Sequence, residues 1–446
     1  MFAQPPLDLP VALPLRSARR KFLVHRPQDA AYIGNGAGRH AADHATTVAG
    51  AADLPVLDAL HAPKILIYSH DTFGLGNIRR TLVLSQTLRE EFADASILMI
   101  TGSPVIHSFR IPERVDYIKL PCLDRVDADA YAPMYLGQHG AAVKQMRQDL
   151  LHRSILNFCP DLMIVDKKPG GIDNELVATL EALQHSAHRP RMVLGVRDIL
   201  DAPERTRRSL HESNSFDLID RFYDEVWVYG VPEIFDHLNE YQYPLHIAAK
   251  THYCGYLRRP TGDAPKQNRT PRVLVTTGGG ADGCAVVEAY LAGLVNLPRR
   301  VALRTKIIFG PQMPEAGRKA LLDRYGHLTD VKFRNFKSDL TEEYAKADVV
   351  VSMAGYNTVC ELLSSEKRAV LVPREYPVQE QLIRARKLAT MGIFDLVEQS
   401  ELTPERLMAA VTKALQRDAH PTTAVDLDGL PRIRRRVQAL IEQPAR

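Results

Sequence analysis

Two segments of this chain, one in each half, share a plan that leaves few folds open: an apolar run, a glycine-punctuated turn, then a helix. The first is Ile65-Leu66-Ile67-Tyr68 followed by Ser69-His70-Asp71-Thr72-Phe73-Gly74-Leu75-Gly76-Asn77-Ile78-Arg79-Arg80. The second is Val273-Leu274-Val275-Thr276-Thr277 followed by Gly278-Gly279-Gly280-Ala281-Asp282-Gly283. A short unbroken apolar run is what a strand covered on both faces requires. Parallel sheets bind ligands where such strands end. Two openings of this kind imply two α/β domains with a ligand held between them, and 446 residues suffice for two domains of ~150 each.

The rest of the chain repeats the alternation. In the first half the pattern predicts strands at Ile65–Tyr68, Ser96–Ile100, Tyr117–Leu120, Leu162–Val165, Met192–Val196 and Glu225–Tyr229, with helices over 78–92 and 141–157. In the second half it predicts strands at 272–276, 305–309, 330–333, 348–352, 369–372 and 394–397, interleaved with helices near 283–294, 314–325, 340–346, 357–365, 379–391 and 403–417. Strict alternation means a parallel, doubly wound sheet in each half. The expected domains are 63–258 and 272–420, joined by a polar linker, 259–271, around Arg258-Arg259-Pro260-Thr261-Gly262. In 428–446, Ile433, Val437, Leu440 and Ile441 fall on one helical face, which needs a surface to cover, and the first domain is the candidate. Residues 1–62, rich in Ala, Pro, His and Arg without either period, read as a disordered or loosely attached extension.

Composition narrows the function. A net charge of +4 gives no nucleic-acid footprint, and Arg432, Arg434, Arg435 and Arg436 read as a solvated helix face. The five cysteines are scattered without a CxxC pair, against both a disulfide framework and a structural zinc site; a reducing cytoplasm is the simplest setting. No apolar run approaches the ~20 residues of a spanning helix. Asp127-Ala128-Asp129 spells a DxD, yet no strand runs into it, so it reads as a solvated loop and no metal is expected. Gly74-Leu75-Gly76 is not GxGxxG, because Arg79 stands at the last position, so a dinucleotide cofactor is unsupported.

Two stretches of the second half carry chemistry. Ala354-Gly355-Tyr356-Asn357-Thr358-Val359-Cys360-Glu361 follows a strand directly; a helix starting there offers free N–H groups to a phosphate. Glu361 could accept hydrogen bonds from a ribose diol. Equally, Thr358 and Glu361 have the spacing of a capping box, in which the glutamate only satisfies backbone donors, and spacing alone favours that reading. Pro373-Arg374-Glu375-Tyr376-Pro377-Val378-Gln379-Glu380-Gln381 sets polar groups at a strand end, as a sugar contact or as an ordinary loop. Gly278–Gly280 permits close approach of backbone to ligand.

Phe336-Lys337-Ser338-Asp339-Leu340, Ala347-Asp348-Val349-Val350-Val351-Ser352, Gly355 through Glu361, and Pro373 with Gln379-Glu380-Gln381 and Ala385 together resemble the C-terminal domain of MurG-like family 28 glycosyltransferases. The first half is similar, more loosely, to their N-terminal domain, whose loop reads Gly-x-Gly-His-x-x-Arg, and to MurG-related predicted bacterial transferases. The resemblance spans roughly residues 64 to 420. It implies a GT-B fold: α/β, with two Rossmann-like doubly wound domains facing a central cleft. It implies that Glu361 holds the donor ribose, that Phe336 and Lys337 face the base, that Gly355, Tyr356, Asn357 and Thr358 meet the diphosphate, that Glu380 and Gln381 meet the sugar, and that Gly278, Gly279 and Gly280 form the second glycine loop. On the acceptor side it implies Gly74, Gly76, Asn77 and Arg80.

Two departures stand out. The family's loop histidine is Asn77 here, and an amide cannot take a proton at neutral pH. Candidate bases at other strand ends are Asp71, His70 and Asp166, with Asp198 beside them. Position 380 is an acid where these proteins carry an amide. The resemblance implies an inverting, metal-independent transfer of a hexose or N-acetylhexosamine from a nucleoside-diphosphate sugar, probed first as UDP-linked. The acceptor is a lipid carrier, a polysaccharide or a small molecule, and no further cofactor is needed. The expected location is cytoplasmic, with peripheral contact to the inner membrane face left open. A hydrolase or 2-epimerase on the same fold, and a non-catalytic nucleotide-sugar-binding protein, stay open as alternatives.

Overall fold

The computed structural model describes residues 62–70, 75–126, 130–263, 270–298, 302–417 and 425–443, all within the unit Leu60–Arg446. The extension 1–61, Asp71 to Gly74, the DxD at Asp127–Asp129 and part of the linker lie outside the described residues.

The first domain is built on β1 (Lys64–Ser69), β2 (Ser96–Thr101), β3 (Val115–Lys119), β4 (Leu162–Asp166), β5 (Arg191–Arg197), β6 (Glu225–Tyr229) and β7 (Thr251–Tyr253). They form one parallel sheet in the order β3-β2-β1-β4-β5-β6-β7. The second domain holds β8 (Arg272–Thr276), β9 (Arg304–Ile308), β10 (Val331–Arg334), β11 (Val349–Ser352), β12 (Arg368–Leu371) and β13 (Asp395–Leu396). These are parallel too, in the order β10-β9-β8-β11-β12-β13. Both sheets reverse direction at their first strand, the doubly wound order in which ligands bind at the switch point.

Burial follows from this layering. Every residue of β4 and β11 is buried, because helices cover both faces of a parallel sheet. Five helices matter for the cleft: α1 (Gly76–Glu91), α2 (Cys284–Val295), α3 (Tyr356–Ser364), α4 (Glu380–Thr390) and α5 (Gly429–Glu442). The first four follow β1, β8, β11 and β12, so each starts at the carboxyl edge of a sheet.

Helix α5 belongs to the first domain in space. Ile433, Val437 and Leu440 are buried in one hydrophobic core with Ile65, Leu84 and Leu88. The basic run read as solvated is instead a set of pins. Arg434 pairs with Glu91 at 3.0 Å, and Arg436 grips Glu225 through two bonds at 2.7 and 2.8 Å. Arg432 donates to the Cys254 carbonyl at 2.8 Å, while Arg435 stays exposed. The apolar stripe sets the face, and the arginines flanking it land on acids of the domain it covers.

The linker start is not simply solvated either. Arg259 is buried; its backbone N–H donates to Ser364 Oγ at 2.8 Å and its guanidinium to Asn357 Oδ1 at 2.5 Å.

Candidate active site in the cleft

Between the carboxyl edges of the two sheets lies a cavity of about 630 Å³. The second-domain wall is lined by Gly278, Gly279, Gly280, Phe336, Lys337, Gly355, Tyr356, Asn357, Thr358, Glu380 and Gln381, and the first-domain wall includes His70, Gly76 and Asn77. The expected site residues thus converge on one space, apart from those treated below.

The glycine turn needs its residues. Gly278 and Gly280 have φ of 62° and 88°, a region that favours glycine. A Cβ on Gly280 would also meet the Gly310 backbone at 2.8 Å. Gly310, after β9, is a partner that the sequence pattern did not reveal. Thr277 Oγ1, buried beside the turn on the cavity wall, has no hydrogen-bond partner.

Helix α3 settles the capping question. It begins at Tyr356, with Gly355 as the N-cap in extended conformation and no side chain capping it. Thr358 is therefore the third helical residue and Glu361 the sixth, so the pair is not a capping box. The amide groups of the first turn are left without a side-chain acceptor at the cavity wall, an arrangement suited to an anion. Glu361 is 8% exposed and is not among the residues lining the cavity. Its Oε1 accepts from Arg79 of α1, across the cleft, and its Oε2 is buried without a partner.

Glu380, the acid in place of an amide, is the first residue of α4. Arg384 lies 2.9 Å from it, Arg197 3.4 Å and Arg374 3.8 Å. Burial works against its charge, but the Arg197, Arg384 and Arg374 charges win and hold its carboxyl at about 2. Gln381 Oε1 accepts from the Arg374 backbone N–H at 3.2 Å, which fixes the amide side chain. Arg197, at the end of β5, and Arg374, after β12, line the cavity; a cation at a strand end is the only sequence signal either gives.

Behind this wall sits a buried cross-domain pair. Arg384 bonds both oxygens of Asp198 at 2.7 Å and the Ala354 carbonyl at 2.7 Å. Tyr256 donates to the same carboxylate at 2.6 Å and stacks on Tyr356, with ring centroids 5.7 Å apart. Asp198 is thus committed to holding the domains together.

The acceptor side is wired differently. Asp166 and Arg80 form a buried ion pair, and neither lines the cavity. A carboxylate clamped by a guanidinium is a poor base, so Asp166 acts here as an anchor. Arg80 also donates to Asn77 Oδ1 at 3.1 Å, which turns the amide so that Nδ2 lies 3.3 Å from His70 Nε2. His70 therefore accepts at Nε2. Burial first, then the charges of Lys167 and Lys168, push its pKa well below the usual value, so the imidazole is neutral. Among the described residues, no group of three or more His, Cys, Asp or Glu side chains is placed to hold a metal ion. No described helix is long and apolar enough to cross a membrane.

Two Rossmann-like domains with this strand order around one cleft define the GT-B architecture of glycosyltransferases. The chain superimposes on Acinetobacter baumannii MurG with a TM-score of 0.51 at 17% identity, covering 84% of this chain and 100% of that one. It superimposes on the spinosyn forosaminyltransferase SpnP with a TM-score of 0.54 at 13% identity, covering 85% and 100%. Both likenesses are likenesses of fold.

Within that architecture, residues 273–427 match the glycosyltransferase family 28 C-terminal domain, which bears out the resemblance where it was most specific. Over 151 residues the chain is 32% identical to a Haemophilus influenzae UDP-N-acetylglucosamine--N-acetylmuramyl-(pentapeptide) pyrophosphoryl-undecaprenol N-acetylglucosamine transferase, covering 33% of this chain. Over 155 residues it is 27% identical to the Pasteurella multocida protein of the same name, covering 35%. The matches span 41% and 42% of those relatives' own length.

Proposed function

We propose that this protein is a glycosyltransferase that moves a hexosyl or N-acetylhexosaminyl group from a nucleoside-diphosphate sugar to an acceptor hydroxyl, with inversion and without a metal step. The observation that carries the reading is the juxtaposition in one cavity of the Gly278–Gly280 turn, the uncapped start of α3 and Glu380-Gln381, opposite His70 and Asn77. A UDP-linked donor is favoured because the relatives' printed names specify UDP-N-acetylglucosamine.

In this mechanism the α3 amides and the glycine-turn backbone take up the charge that grows on the departing diphosphate. Fixed donors of this kind are each worth ~3 kcal/mol in a transition state. Glu361 receives the ribose diol. Glu380, ionised at any physiological pH, and Gln381 hold the sugar hydroxyls. On the opposite wall His70 takes the acceptor proton at Nε2, the acceptor hydroxyl replacing the Asn77 amide there. Its depressed pKa keeps it in the free-base form that the step requires. Asp71, one residue further along, is the second candidate.

The test combines binding and turnover. Glu361→Ala should weaken UDP binding about tenfold to a hundredfold, the scale of charge-assisted hydrogen bonds. Unchanged affinity by calorimetry would refute the ribose assignment. Sugar release from UDP-sugars that is independent of any added acceptor would replace the transferase reading with the hydrolase one.

A further inference from the structure

The carboxylate expected to receive a ribose is already occupied. Glu361 sits behind Arg79, and it is Arg79 that lines the cavity. The guanidinium comes from α1 of the opposite domain and engages one carboxylate oxygen; Oε2 is buried without a close hydrogen bond, with the buried Tyr344 hydroxyl as the carboxylate's other polar neighbour. The sealed cross-domain pair differs: Arg384 engages both oxygens of Asp198 at 2.7 Å each. Arg79 keeps 20% of its side chain exposed, whereas Arg384 keeps none. A second contact joins the two domains: Phe109 of the first meets Phe336 of the second edge-on, with centroids 6.1 Å apart.

We propose that Arg79 is a gate on the nucleoside half of the donor site: it occupies the ribose position in the empty protein, and a nucleoside diphosphate binds by taking Glu361 from it. The inference rests on the nucleotide-sugar reading above. A ribose diol offers two O–H donors, one for each carboxylate oxygen, and so satisfies the Oε2 that Arg79 leaves unmet. The gate discriminates in favour of ligands that carry both ribose hydroxyls, because only these compensate Glu361 for the lost guanidinium. It also lowers the apparent affinity for every nucleotide, since the closed state must be displaced first.

The sign of one mutation separates a gate from an ordinary ligand contact. UDP is titrated by calorimetry into the wild type, Arg79→Ala, Arg79→Gln, Glu361→Gln and the Arg79→Ala/Glu361→Gln double variant, each checked for a cooperative melt. Arg79→Ala and Arg79→Gln should bind UDP roughly fivefold tighter, the scale of one partly exposed ion pair. The gain should vanish in the double variant relative to Glu361→Gln alone, and shrink with 2′-deoxy-UDP. Equal or weaker UDP binding by both Arg79 variants overturns the gate. If Glu361→Gln leaves UDP affinity unchanged, the ribose assignment falls and the gate with it. If Glu361→Gln weakens binding while the Arg79 variants do not tighten it, only the gate falls. A wild type that binds none of UDP, GDP and ADP overturns the donor reading itself.

Discussion

Among the ion pairs that cross the cleft in the described residues, Asp198–Arg384 and Arg79–Glu361 differ in everything but their charges. Asp198–Arg384 is sealed: its side chains are 1% and 0% exposed. Both carboxylate oxygens are used, a tyrosine hydroxyl adds a third bond, and Arg384 lies over the Tyr356 ring. Arg79–Glu361 sits at the cavity edge, with one oxygen unused. A buried charge that loses its partner has no water to turn to, whereas a charge beside a wet cavity does. The same chemistry therefore gives a fixed joint in one place and a releasable contact in the other. The two pairs also run in opposite senses: the first domain supplies the acid to one and the cation to the other.

The largest effect expected from this contrast is on the joint. Arg384→Met should cost about 3–5 kcal/mol of unfolding free energy, the range for removing one partner of a buried pair. It strands Asp198 and removes the nearest cation from Glu380. Urea denaturation measures it. A loss below about 1 kcal/mol would erase the distinction between the two pairs.

The joint also has a pH signature. His237 is fully buried, with Nε2 2.7 Å from the Asp198 carbonyl; burial is the main cause of a pKa lowered to about 4. Between about 6.5 and 4 the unfolded chain binds a proton there that the folded chain does not, so stability rises with pH across that window. Each such proton contributes a slope of about 1.4 kcal/mol per pH unit. His70, also lowered, adds to it. Glu380, held at about 2, acts lower down: its contribution is complete above about 4.5 and disappears as pH falls through 2. Denaturation midpoints followed from pH 7 to 3 should fall throughout, and His237→Gln should flatten the upper part by about one proton. An unchanged slope in that variant would remove His237 from the account.

How much of this could be read beforehand depended on whether the signal was local. The strands of both sheets were legible because burial on two faces leaves unbroken apolar runs such as Val349–Ser352. The edge strand Thr251–Tyr253 and the hairpin Leu123–Arg125 with Tyr131–Pro133 were not, since three residues carry no period. Helix α3 was expected one residue late, over 357–365, and Thr358 with Glu361 imitate a cap three residues beyond the actual one, Gly355, which caps without a side chain. The donor wall was legible through its glycines and its family spelling. The pairs across the cleft were not: Arg79 and Glu361 are 282 positions apart, and Arg384 and Asp198 186. Asn77 looked like the loss of a base; in space its amide meets the histidine seven residues earlier.

The smallest stability effect is expected where the ligand effect is clearest. Arg79→Ala removes the guanidinium from Glu361, which by burial alone would be a costly loss. Yet Arg79, together with Tyr344, lines the cavity where that carboxylate lies just behind it. Truncating it admits water to both oxygens, including the one that has no partner now. The solvation regained offsets the Coulomb attraction lost, so unfolding free energy should change by no more than about 1 kcal/mol, as for an exposed pair. Asp198 has no such recourse, because Tyr256 and Tyr356 stay in place whichever residue stands at position 384. Parallel urea curves for Arg79→Ala and Arg384→Met therefore test the contrast directly. Similar losses in the two variants would mean that Glu361 is as sealed as Asp198, and that the contact across the rim is a second joint.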